Sequence, residues 1–97
     1  MEVRWTKKAL QDLLEIKNFL SDKSESSALK IVAEILNIEN TISEFPKSGA
    51  VENSLKLKRT YRFHVVRNYK IIYRIGKSTV YINKVFDCRK DPSRIIE

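Results

Sequence analysis

Apolar residues recur at three- and four-residue steps through the first half of the chain and at alternate positions through much of the second. From Lys7 to Leu20 the pairs Ala9/Leu10, Leu13/Leu14 and Phe19/Leu20, with Ile16 between them, trace one face of a helix. Thr6 stands where its hydroxyl can cap that helix. The run Ser21-Asp22-Lys23-Ser24 breaks the pattern, and Ser24 or Ser26 can cap a second helix. Its stripe is Ala28, Ile31, Val32, Ile35, Leu36, Ile38 and Ile42, and it stops at Pro46, with Gly49 marking a turn. Two amphipathic helices joined by so short a link predict an antiparallel hairpin.

Beyond Gly49 the period changes. Val3-Arg4-Trp5 near the start reads as one short strand, and Tyr61–Val66, Tyr69–Ile75 and Thr79–Asp87 as three more, rich in β-branched and aromatic residues. Turns fall at Asn68 and at Gly76-Lys77-Ser78, so the last three strands predict an antiparallel meander. Pro92 is placed to open a final helical turn over Ser93–Glu97. The fold class expected is α+β, with an N-terminal antiparallel helix hairpin packed on one face of a small twisted antiparallel sheet. Residues 1–97 form one domain, since a chain of 97 residues has no room for a second core.

Alternation also predicts which side chains point where. If Tyr61 and Phe63 share the helix-facing side with Tyr69, Ile71 and Tyr73, then Arg62, His64, Lys70 and Arg74 lie together on the outer face. Charge sharpens that expectation. The chain carries a net +7, and its placement is uneven. Up to Phe45 there are six Lys/Arg against eight Asp/Glu; from Pro46 onward there are thirteen against four. Segregation of this kind suggests a face that meets a polyanion or an acidic protein. The single cysteine, Cys88, excludes an internal disulfide framework and a Cys-rich zinc site, and fits a reducing cytoplasm. No apolar run is long enough for a signal peptide or a membrane span, so no membrane partner is expected. Neither a metal nor another cofactor is implied.

Four segments, in order, resemble the RelE/ParE toxin superfamily. Trp5-Thr6 with Ala9-Leu10, Asp12-Leu13 and Ile16 looks like the opening helix of those toxins. Phe45-Pro46-Lys47-Ser48-Gly49 is similar to the segment closing their second helix. Arg62, Val65 and the run Asn68–Ile75 resemble a characteristic strand, and Val85–Pro92 resembles the terminal strand with its basic end. The resemblance implies a toxin of a type II toxin–antitoxin system, neutralised by a cognate antitoxin with an acidic or amphipathic segment. It also implies one of two targets. RelE-like members are ribosome-dependent messenger-RNA endoribonucleases; ParE-like members poison DNA gyrase.

Chemistry bears on that choice. Cleavage through a 2′-hydroxyl needs a base, an acid and cations around the phosphate. Arg62, His64, Arg74 and Arg89 are the residues a nuclease would use here, and Lys70, Lys90 and Arg94 join them as contacts to a target or antitoxin. The resemblance places a Tyr or His a few residues beyond the basic cluster, and Ile95 stands there instead. His64, beside so many cations, is expected to have a lowered pKa, suited to a base but not an acid. The ParE-like reading is therefore preferred. A ribonuclease, or a non-toxic basic nucleic-acid-binding module, are the alternatives.

Overall fold

The computed structural model describes residues 1–52 and 59–89. Along the chain come β1 (Glu2–Trp5), α1 (Lys7–Ser21), α2 (Glu25–Glu44), a 3-10 turn (Pro46–Ser48), β2 (Ala50–Val51), β3 (Arg62–Val66), β4 (Tyr69–Ile75) and β5 (Thr79–Asp87). Both caps act as the sequence predicts. The Thr6 hydroxyl accepts from the Ala9 amide at 3.2 Å and the Ser24 hydroxyl from the Ser27 amide at 3.3 Å, each satisfying a helix-end donor that would otherwise be orphaned. No helix among the described residues is long and apolar enough to cross a membrane.

The five strands make one sheet in the order β1-β5-β4-β3-β2. The expected meander β3-β4-β5 is antiparallel, but β1 joins β5 in parallel, Val3 opposite Val80 and Trp5 opposite Ile82. The sheet is therefore mixed rather than wholly antiparallel. The hairpin of α1 and α2 covers one face, and the core lies between the layers. It is built from Ala9 and Leu13 of α1, Ile35 and Ile42 of α2, and Ile71, Tyr73, Val80 and Ile82 of the sheet.

The β3–β4 loop has two residues, Arg67 and Asn68, and Arg67 rather than Asn68 adopts a positive φ, 56°. A left-handed arginine costs on the order of 1 kcal/mol. The conformation brings its guanidinium to Glu34 of α2 at 2.6 Å, tying the hairpin loop to the helix layer. A two-residue loop also fixes the register: Val66 faces Tyr69, His64 faces Ile71 and Arg62 faces Tyr73. Directly opposed residues share a face. The parity expected of β3 is thus inverted. Arg62 and His64 lie on the helix side, at its edge, while Phe63 lies on the outer side. Tyr61 is buried, but in a separate small cluster with Ile72, Phe86 and Phe63 rather than beneath the helices.

Candidate functional site

The segment that ends α2 and crosses to the sheet is held by several side-chain hydrogen bonds from β3 and β4. The Tyr73 hydroxyl, fully buried, donates to the Pro46 carbonyl at 2.6 Å and accepts from the Gly49 amide at 2.9 Å. Gly49 is needed for that approach, since a Cβ there would sit 2.6 Å from the Tyr73 oxygen and 2.8 Å from the Phe63 carbonyl. Arg62 donates to the Gly49 carbonyl at 2.8 Å and reaches the Lys47 carbonyl at 3.4 Å. His64 stacks nearly parallel on Tyr73, with ring centres 6.0 Å apart, and its Nε2 lies 2.8 Å from the Ser48 hydroxyl. Burial holds the His64 pKa below its ordinary 6.5. The expected direction is found, but the cause is desolvation rather than neighbouring cations. The His64 imidazole beside the Ser48 hydroxyl is a proton-exchanging pair in this corner.

The other expected site residues are elsewhere. Lys70 and Arg74, on the same strand, point to the outer face. Lys70 pairs with the buried Glu52 carboxylate at 2.7 Å and covers the Phe63 ring at 4.3 Å. Arg74 lies over the Tyr81 ring at 4.6 Å. Arg4 shares this face through its register with Tyr81, and pairs with Glu2 at 2.7 Å. Arg89, just past β5, is held by both carboxylate oxygens of Asp87, at 2.8 and 3.0 Å. Lys90, Arg94 and the expected Ser93–Glu97 turn lie outside the described residues. The single cationic cluster expected of Arg62, His64, Lys70 and Arg74 therefore does not form. The sheet separates the first two from the last two, and acidic partners or carbonyls engage most of these cations. Among the described residues no group of His, Cys, Asp and Glu side chains could hold a metal ion.

Sequence reasoning missed two features. One is Asp12, which is buried on α1 and accepts from the Val85 amide at 3.1 Å while pairing with Lys8 at 2.7 Å. Strand β1 ends at Trp5, so β5 has no strand neighbour on that side beyond Ile82, and the Asp12 carboxylate caps its open edge. The polar position within an otherwise apolar helical face was the available signal. The second is a groove of about 400 Å³ between α1 and that edge, lined by Ile16, Phe19, Tyr69, Val85 and Lys84 among others. Burial lowers the Lys84 pKa and raises that of Tyr69.

Two helices laid over one face of a five-stranded mixed sheet, with a Pro-x-x-Gly corner locked by Tyr73, make up a small α+β domain. The family described as the ParE toxin of type II toxin–antitoxin system, parDE, matches residues 3–92, and the chain belongs to that family. A solved structure described as the chromosomal ParDE toxin–antitoxin system from P. aeruginosa has the same fold. It superposes with a TM-score of 0.76 at 20% identity, covering 90% of this chain and 95% of that one. No curated protein matches.

Proposed function

We propose that this protein is a ParE-like toxin that acts in the cytoplasm by binding and poisoning DNA gyrase, and that a cognate antitoxin with an acidic or amphipathic segment holds it inactive. The observation that carries the reading is family membership over residues 3–92. The disposition of the side chains supports a binding role over cleavage. The four residues assigned to a nuclease, Arg62, His64, Arg74 and Arg89, do not face a common point. Arg62 holds backbone carbonyls, Arg89 is bidentate on Asp87, and Arg74 lies across the sheet from His64. A phosphate in flight needs a base, an acid and cations within hydrogen-bond reach of one another.

The test pairs two assays on purified toxin: supercoiling by gyrase, and cleavage of messenger RNA in the ribosomal A site. Inhibited supercoiling with intact messenger RNA is the expected result. Cleavage with normal supercoiling would replace this reading with the ribonuclease. If neither occurs and expression does not arrest growth, a basic nucleic-acid-binding module is the better account.

A further inference from the structure

Three side chains form a row across the strands on the outer face of the sheet, the face turned away from the helices. Arg4 of β1 stands opposite Tyr81 of β5, and Tyr81 stands opposite Arg74 of β4. Directly opposed residues share a face, so two arginines flank one tyrosine, with backbones about 10 Å apart across two strand spacings. The row is held in place. The Arg74 guanidinium lies 4.6 Å from the centre of the Tyr81 ring. Gly76 lets the β4–β5 turn close on the same ring, since a Cβ there would sit 3.2 Å from the Tyr81 Cε2. The N–H donors of Arg74 find no acceptor among the described residues, and Lys77, exposed in the adjoining turn, has no acidic partner among them. Arg4 is paired with Glu2, but both side chains are more than half exposed, and a pair so well hydrated gives way readily to a stronger anion. Lys84, opposite Ile72, carries positive charge further along the same face.

We infer that this row is a phosphodiester-binding surface whose occupant is duplex DNA, the DNA that gyrase carries; its role, though not the surface itself, rests on the gyrase reading above. The side chains present favour that occupant over a protein and over a single strand. A protein partner is anchored by exposed apolar side chains at the centre of its interface. The large exposed apolar residues of the described chain are Met1, Leu10, Leu14, Phe19, Leu29, Leu36, Phe45, Val51 and Val65, and none of them lies in this row or in the turn beside it. A single strand binds by stacking its bases on open aromatic rings. Tyr81 is not open, because its cross-strand neighbours on both sides are arginines and one of them covers the ring. The row therefore offers cationic forks, held at a fixed separation on a strand surface, to a partner with regularly spaced negative charge. The tyrosine acts as a spacer and keeps Arg74 oriented, which lowers the conformational entropy lost when a phosphate is gripped. Net charge agrees in sign: the chain carries +7, a long-range attraction for a polyanion.

The experiment uses the full-length toxin and a labelled duplex of about 20 base pairs of mixed sequence, with binding followed by fluorescence anisotropy from about 50 to 200 mM salt. The row variant is Arg4→Gln/Arg74→Gln. Lys7→Gln/Lys30→Gln, exposed on the helix layer, removes the same charge and serves as the control. Circular dichroism with a thermal melt checks that each variant folds, and Lys77→Gln alone stands in if the row pair does not. The row pair should weaken binding at least about ten-fold at the lower salt and flatten the slope of log K against log salt by about two units. The control should change affinity by less than about three-fold. Equal losses in the two variants overturn the inference, because net charge alone would then account for binding. So does a wild-type toxin that leaves the duplex unbound at the lower salt, or that binds a single strand of the same length more tightly. Gyrase supercoiling, assayed beside these titrations, separates the surface from its role. Weaker inhibition by the row pair than by the wild type supports both. DNA binding through the row with no inhibition by the wild type keeps the surface and defeats the gyrase reading. Equal inhibition by the wild type and the row pair, with unchanged DNA affinity, keeps the gyrase reading and overturns the assignment of the row.

Discussion

Replacing Tyr73 with Phe deletes one oxygen and nothing else, and that oxygen joins two chain segments. It accepts from the Gly49 amide at 2.9 Å and donates to the Pro46 carbonyl at 2.6 Å, inside a core where the ring is fully buried. The ring still fills its space, so no cavity of consequence opens. The cost comes from the two backbone groups left behind. A buried donor without a partner costs about 1–3 kcal/mol, and the carbonyl adds less because it has a second lone pair. A loss near 2 kcal/mol is expected. In a domain of this size each kcal/mol moves the melting midpoint by about 4–8 °C, so Tm should fall by roughly 10 °C. Urea unfolding should show a lower midpoint at an unchanged slope, since the surface exposed on unfolding does not change. Amide exchange at Gly49 supplies a second reading and should accelerate far more than exchange in α1. A loss under about 0.5 kcal/mol, with Gly49 still protected, would refute the idea that this hydroxyl locks the corner.

Asp12→Ala should cost about 1–3 kcal/mol by stranding the Val85 amide on the β5 edge, whereas Lys8→Ala should cost under about 0.5, because Lys8 is half exposed. Equal losses in urea titrations would show that the ion pair, not the edge cap, matters. Thr6→Ala should cost about 1 kcal/mol and Thr6→Ser little, read from the same titrations, since the hydroxyl caps α1. Because the folded protein holds His64 below 6.5, the unfolded chain takes that proton first. Stability should be full above pH 6.5 and decline as pH falls through that value, and His64→Gln should flatten this limb in melts between pH 7 and 5. Glu34, held below 4.5 chiefly by its hydrogen bond to Arg67, makes a contribution that is full above pH 4.5 and is lost as pH falls through its lowered pKa.

The helices were legible because their evidence is local. The 3.6-residue stripe and the capping hydroxyls of Thr6 and Ser24 lie within a few positions of what they organise. Strands β4 and β5 were bounded correctly for the same reason, with Asn68 and Gly76 as punctuation. The face of β3 was not, and the reason is arithmetic. Placing the turn on Asn68 alone leaves β3 one residue out of step, and a one-residue slip turns every side chain over. Reading Arg67-Asn68 as a two-residue loop would have set Arg62 opposite Tyr73 from the sequence alone. The roles of Asp12 and Arg62 were not legible in that way, because each acts on a backbone group far along the chain. Both had been weighed as family or functional markers; in the structure one caps a sheet edge and the other clasps carbonyls. That Arg62 holds Gly49 also means that loss of activity in an Arg62→Ala variant has a structural explanation, and needs a melting curve beside it.

The parallel pairing of β1 with β5 has a bearing on how the protein comes into being. Val3 lies opposite Val80, and Thr6 bonds to the backbone of Asn83, 77 positions away. During synthesis the first strand and the helix hairpin leave the ribosome long before β5, the strand that β1 pairs with and the last of the described strands to be made. Until then the core between the layers is incomplete. A polypeptide stopped short of β5 therefore lacks both the partner of β1 and the Val80, Ile82 and Val85 side chains of the core.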